Sequence, residues 1–191
     1  LSIPSIVIHG ISKGLVNKEM DWKKCREENF NLYSALIPKA KETGVCVLLE
    51  NLFTRVGKRH IADGCCSDPR EAVELIDSLN EKAGEKLFAL CFDTGHLHIT
   101  GRDQKEYIEI LGDRIEALHL HDNFGEDDLH RMPYTGNIDW DSVLDTLKEV
   151  KYNGVINFET YRQLEVPHEL APSILKAMAV EARYFEKRIF E

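Results

Sequence analysis

The 191-residue chain has no apolar run near the ~20 residues that a bilayer-spanning helix requires. Its opening segment, LSIPSIVIHG, has neither a basic leader nor a small-residue cleavage pattern, so no signal peptide is expected there. Basic residues are scarce, with Lys+Arg 24 against Asp+Glu 33, a net charge of −9 and a pI near 5.4. General nucleic-acid binders need a basic footprint, and this balance disfavours them. No Cys-x-x-Cys pair occurs. The five cysteines (Cys25, Cys46, Cys65, Cys66 and Cys91) are an odd number with no spaced framework. That usage points to a reducing, cytoplasmic compartment, with the Cys65-Cys66 doublet read as ordinary loop thiols in preference to a redox or metal feature. No Gly-x-Gly-x-x-Gly follows any candidate strand, so a dinucleotide-binding sheet has no support.

What is present suffices for one domain with a sizeable core: 43% of residues are hydrophobic and 30% charged. Apolar, β-branched runs read as strands at Ser5 to His9, Val45 to Glu50, Leu87 to Asp93, Ile115 to His121 and Gly154 to Glu159. Between them lie helical stripes. One runs from about Met20 to Thr43, with a kink or break near Leu36 ahead of Pro38. Another starts after the N-cap Asp68 with Pro69 at the first helical position, and a third spans about Gln104 to Leu111. A fourth is capped by Asp139, and the last covers about Pro172 to Arg188. Asn51 to Gly64, which holds Arg55, Lys58, Arg59 and His60, reads as a polar loop. Strands alternating with helices mean a parallel sheet covered by helices, either an open doubly wound sheet or a (β/α) barrel.

The informative feature is positional. The strands end in His9, Glu50, Asp93, His119 with His121, and Glu159, at the end that carries active sites in parallel α/β folds. Strand alternation puts His119 and His121 on one face, and Glu50 and Asp93 each top a column of inward-facing residues. A closed barrel brings such columns to one point, whereas an open sheet spreads them along an edge, so the barrel is favoured. Three carboxylates brought together repel and are costly to bury. A divalent cation resolves the conflict. Three oxygen donors and an imidazole suit Mn²⁺ or Mg²⁺, with Co²⁺ or Zn²⁺ as alternatives. The polar stretch Ala117 to Trp140, with Asp122, Asp128 and His130, reads as a further metal-rich segment or as a plain polar loop.

Asp93-Thr94-Gly95-His96 after LCF, His119-Leu120-His121-Asp122 after a strand, Glu50-Asn51 after VLL, and Glu159 after GVINF together resemble the xylose isomerase-like TIM-barrel superfamily. That superfamily includes sugar-phosphate isomerase/epimerase-like proteins, inosose-processing enzymes, ketose 3-epimerases and endonuclease IV-type nucleases. The resemblance implies one metal site built from Glu50, Asp93, His119 and Glu159, with His119 rather than His121 as the imidazole ligand. It implies substrate binding or a second metal, an additional zinc, at His9, His96, Asp128, His130 and Arg131. For His130, a structural hydrogen-bonding role in the loop stands as the alternative. His121 reads as a residue beside the ligands, and His60 and His98 as loop residues.

The implied activity is a divalent-metal-dependent isomerase or epimerase of a small carbohydrate-like substrate. Protons would move through an enediolate, with Glu50 and Glu159 as acid/base partners. The alternative is a zinc-dependent phosphodiesterase acting on abasic DNA. No membrane partner is expected, and a homo-oligomer stays open. Two departures stand out. Phe124-Gly125-Glu126 replace the Glu-x-Asn-Arg context of ketose 3-epimerases, which disfavours that subgroup. Residues 1–191 read as a single domain holding about five of the eight βα units of such a barrel, incomplete at its N-terminus.

Overall fold

A computed structural model of the chain describes residues 3–12, 15–16, 19–56, 60–161 and 164–191. Strand β1 (Ser5–Val7) is followed by the short antiparallel pair β2 (Leu15–Val16) and β3 (Glu19–Met20). Then come α1 (Trp22–Ser34), α2 (Ile37–Thr43) and β4 (Cys46–Glu50). An antiparallel hairpin, β5 (Phe53–Val56) and β6 (His60–Asp63), precedes α3 (Pro69–Ala83) and β7 (Phe88–Asp93). Helices α4 (Thr94–Ile99) and α5 (Gln104–Leu111) lead to β8 (Ile115–Leu120). The chain ends with α6 (Trp140–Glu149), β9 (Val155–Phe158) and α7 (Ala171–Phe190).

The principal sheet has five parallel strands in the order β1-β4-β7-β8-β9. This order follows the chain without reversal. An open doubly wound sheet reverses direction at a switch point, whereas a barrel wall does not. The two sheet faces differ in size as a barrel requires. Val7, Cys46, Leu48, Ala89, Cys91 and Ala117 form a narrow inner column. Val47, Leu49, Phe88, Leu90, Phe92, Leu118 and Leu120 point outward into the main core with the helices. Strands β1 and β9 have one sheet neighbour each, and Ile6 and Val155 on them are exposed.

Local chemistry explains the element ends. Asp68 accepts the amides of Arg70 and Glu71 ahead of Pro69, and Gly84 closes α3 in the left-handed region at φ 74. The first long helix breaks as expected, since α1 stops at Ser34 and Pro38 lies in the first turn of α2. Three expectations are corrected. Residues 53–56 and 60–63 are not loop: Phe53 to Val56 pairs with His60 to Asp63, and the mixed polar pattern concealed the strands. Lys58 and Arg59 lie outside the described residues, as does the side chain of His60. His98 is helical, in α4, because the Asp93 carboxylate accepts the His96 amide and starts a helix directly at the strand end. The strand expected to reach His121 stops at Leu120, where Asp122 makes an isolated bridge to Arg131.

Helix α7 carries one buried polar misfit. Glu181 Oε1 is buried with no hydrogen-bond partner. Burial, together with the nearby Asp122 charge, pushes the Glu181 carboxyl up to about 7. A carboxyl raised in the folded state stabilises fully below its unfolded value of 4.5 and loses that contribution as pH rises through about 7. Urea unfolding from pH 4.5 to 8 is expected to show this decline in the parent protein. Glu181→Gln should remove it and gain on the order of 1 kcal/mol at pH 8 after solvent screening.

Candidate metal centre at the strand C-termini

The parallel register sets the site's floor. Asp93 pairs with His119, and His119 with Asn157, so β7, β8 and β9 end at one level. Glu50 closes β4 beside them, and Glu159 follows β9. One ligand atom from each of Glu50, Asp93, His119 and Glu159 lies within 4.8 Å of every other. His119 Nδ1 is 3.4 Å from Glu50 Oε1 and 3.0 Å from Glu159 Oε2. Yet His119 Nδ1, Glu50 Oε2 and Glu159 Oε2 are buried without an aligned hydrogen-bond partner. Buried polar atoms are normally satisfied, so this group of close but misdirected donor atoms needs an explanation. A divalent cation shared among three carboxylates and an imidazole fits the donor set.

Asn51 ties the strand ends together. Its side chain donates to the Asp93 carbonyl and accepts the Asp93 amide, each at 2.8 Å. The Asp93 carboxylate accepts the His96 amide at 2.6 Å, which turns His96 back over the site. His96 Nδ1 then lies 3.1 Å from the Asn51 carbonyl and 3.4 Å from Glu50 Oε1. The Phe53 ring of the β5–β6 hairpin meets His96 edge-on at 5.2 Å, and Arg55 beside it pairs with Asp127 at 2.6 Å. The hairpin therefore forms one wall of the site.

A second wall, joined to the hairpin through the Arg55–Asp127 pair, is the segment from His121 to Asp139, organised by Asp122. That carboxylate is fully buried and accepts from the amides of Asn123, Gly136 and Ile138 and from Trp140 Nε1. A Cβ at Gly136 would lie 2.3 Å from Asp122 Oδ1, so the loop can close on Asp122 only with glycine there. The ordered loop delivers Asp128 and His130. Asp128 Oδ2 is 3.1 Å from His130 Nε2 and 3.6 Å from His96 Nε2. His130 Nδ1 is 2.8 Å from the Glu159 carbonyl. His121, Asp128 and His130 form a second group with ligand atoms within 4.8 Å, and Asp93, His96 and His121 a third.

The electrostatics follow from this crowding. Burial raises the Glu50 carboxyl, but the adjacent His119 and His96 imidazoles outweigh it and hold Glu50 at about 2. Asp128 opposes burial in the same way through His130 and His96 and stays well below the usual carboxylate range. Burial pulls His96 down, but Asp93, Asp128 and Glu50 push it up to about 11. His119 is likewise raised against burial, by Cys91, Glu159 and Glu50.

Glu50, Asp93, His119 and Glu159 are brought together as the strand ends suggested, and His9 Nε2 reaches Glu50 Oε2 at 3.0 Å from an exposed position. His96, Asp128 and His130 join from the helix and loop side. Arg131 does not join: its Nε donates to the Thr135 carbonyl, and its guanidinium lies over Phe124 at 5.2 Å. It borders a neighbouring cavity of about 440 Å³ with His130, Met132 and Thr135. His119 and His121 engage different partners, His121 facing Asp93 at 3.0 Å. Cys65 and Cys66 are free, buried thiols on a turn. Sequence reasoning missed Asn51 and Phe53 as site builders and Asp122 as the loop's anchor. The one available signal was that Asn51 and Asp122 directly follow ionisable strand ends.

The family model described as Xylose isomerase-like TIM barrel matches residues 1–180. The chain belongs to that family. Among curated relatives, protein MJ1311 of Methanocaldococcus jannaschii is 31% identical over 70% of this chain and 43% of its own length. Inosose isomerase of Bacillus velezensis is 28% identical over 61% of this chain and 44% of its own length. A solved D-tagatose 3-epimerase-like protein superposes with a TM-score of 0.67 at 26% identity, covering 94% of this chain and 63% of that one. The IOLI protein, solved with a bound zinc atom, shares the fold at 19% identity with a TM-score of 0.74, covering 98% of this chain and 64% of that one. The chain spans under half the length of the curated relatives it matches. The proteins similar to this chain thus include one named inosose isomerase and one described as D-tagatose 3-epimerase-like. Among the described residues, no helix is long and apolar enough to cross a membrane.

Two outcomes are expected. Asp122→Ala leaves the Gly136 and Ile138 amides and the Trp140 indole unpaired, and should cost about 3 kcal/mol or more in urea unfolding. A divalent ion bound at the four-residue group must displace the His119 proton, so affinity should rise with pH. Calorimetry near pH 7 in buffers of different ionisation enthalpy should then show release of about one proton per ion.

Proposed function

We propose that the whole protein is a divalent-metal-dependent isomerase or epimerase of a small sugar, polyol or sugar derivative, moving protons through an enediolate. The convergence of Glu50, Asp93, His119 and Glu159 on one point carries this reading. The names of the relatives, inosose isomerase and inosose dehydratase, support a carbohydrate-like substrate. Those four residues would hold the ion, Mn²⁺ first, with Mg²⁺, Co²⁺ or Zn²⁺ as alternatives. When bound, a divalent ion there supplies Lewis-acid stabilisation of negative charge on neighbouring substrate oxygens.

The chain's own groups divide the remaining work. Glu159 is the more accessible carboxylate, with its side chain 29% exposed against 1% for Glu50. Its carboxyl is held below its ordinary value: burial opposes this, and His119 outweighs burial. Glu159 therefore meets the substrate ionised, as a base that takes the carbon-bound proton must. Glu50, on the other side of His119, is the partner that returns a proton to carbon, and because its own carboxyl is held ionised, that proton must reach it from the His96 imidazole 3.4 Å away. His96, Asp128 and His130, which neighbour one another beside the four-residue group, would bind substrate hydroxyls. The open edges of β1 and β9 support a single barrel domain in which further βα units cover them.

The His121, Asp128 and His130 group gives the second reading its one favourable observation, a zinc-dependent phosphodiesterase acting on abasic DNA. The net charge of −9 weighs against it. Elemental analysis of the full-length protein separates the two. One Mn²⁺-type ion per chain fits the isomerase, and several zinc ions per chain fit the phosphodiesterase. Glu159→Gln and Glu50→Gln should each lower deuterium exchange from solvent into candidate ketoses by about 100-fold or more. Exchange undiminished in both variants would remove their acid/base roles.

A further inference from the structure

We propose that His121 is a positioning residue for Asp93, holding that carboxylate in the one orientation that completes the candidate metal centre. The inference rests on the metal-centre reading above and adds to it a residue outside the four-residue group.

His121 lies one residue past the end of β8, at Leu120, and is fully buried. Its backbone is fixed to the start of α4: its amide donates to Thr94 Oγ1 at 3.2 Å, and its carbonyl accepts the Thr94 hydroxyl at 2.9 Å. The ring then faces the Asp93 carboxylate symmetrically, with Nε2 3.0 Å from Oδ1 and 3.2 Å from Oδ2. Among the described residues it is the one side chain within hydrogen-bonding distance of that carboxylate, and the other donor is the His96 amide. Nδ1 is buried with no partner. A ring protonated on Nε2 suits both nitrogens, because Nε2–H donates to Asp93 and no unpaired N–H is buried at Nδ1.

The surroundings pack against a flat ring in this place. His130 stacks on it at 4.2 Å with the planes 20° apart, and His96 meets it edge-on at 5.7 Å. A Cβ at Gly95 would sit 1.9 Å from His121 Cε1, so residue 95 is glycine where the imidazole takes the space. Packing alone would be served by phenylalanine. The imidazole is required by the Nε2–H that orients Asp93. A group that orients a metal-binding carboxylate typically changes metal affinity by 10–100-fold when removed.

The test uses the full-length protein, stripped of metal and titrated with Co²⁺, whose visible absorption reports ligand geometry. His121→Phe, which fills the same space, should weaken Co²⁺ binding 10–100-fold and shift the absorption band. His121→Gln, whose amide nitrogen can still donate to Asp93, should restore most of the affinity. Gly95→Ala, which displaces the ring without removing any ionisable group, should follow His121→Phe and keeps the test decisive should that variant not fold. Wild-type affinity and spectrum in either His121→Phe or Gly95→Ala overturns the proposal and leaves the metal-centre reading standing. A parent protein that binds no Co²⁺ overturns both.

Discussion

Forced proximity of like charges is the constraint on which the other features of this site depend. The register of four parallel strands fixes Glu50, Asp93 and, one residue past β9, Glu159 around His119 with ligand atoms inside 4.8 Å. Carboxylates at that spacing cannot all ionise in a partly dry site without a cation. The surrounding structure supplies cationic hydrogen bonds and holds them rigidly. Asn51 locks β4 to β7 through paired hydrogen bonds, and the Asp93 carboxylate starts the helix that returns His96. Asp122 gathers three amides and an indole so that the loop can hold out Asp128 and His130.

The division between inner and outer sheet faces makes that convergence achievable. Residues beneath the acids on the inner face are small or slender: Cys46, Leu48, Ala89, Cys91 and Ala117. The outer face carries Phe88, Phe92, Leu90, Leu118 and Leu120 against the helices. Narrow side chains inside and bulky ones outside are compatible with a sheet curled toward the inner face, which draws the strand ends toward a common axis. Larger inner residues would splay the strand ends and separate the carboxylates. Fold and chemistry are coupled through side-chain volume as well as through residue type.

The sequence was legible wherever a period of two or a cap governed the outcome. Alternation within VCVLLE and LFALCFD placed Glu50 and Asp93 on the inner face, and the helix after Pro69 was marked by Asp68. It was illegible where a residue's place depends on something distant in the chain. His121 shares the parity of His119, but the strand ends at Leu120 and Thr94 fixes its backbone, so alternation stopped being the rule one residue too early. The β5–β6 strands carry Arg55, His60 and Asp63 at mixed parity, and tertiary packing against His96 shapes them more than local pattern does. Arg131 follows a candidate site histidine, but its guanidinium is turned outward by the Thr135 carbonyl and the Phe124 ring, neither of which is marked by spacing.

Charge balance also bears on how many ions the two donor groups accept together. The carboxylates of Glu50, Asp93, Asp128 and Glu159 face His96, His119 and His130, all raised toward the protonated form. With these imidazoles charged, the cluster is close to one negative charge. A divalent ion that displaces the His119 proton brings it to neutrality. A second divalent ion at His121, Asp128 and His130 would leave the buried site positive unless the protons of His130 and His96 also departed. Burying net charge is costly, so the second ion is opposed at neutral pH and becomes easier as pH rises. This charge count favours one ion per site, the loading that the proposed isomerase reading calls for.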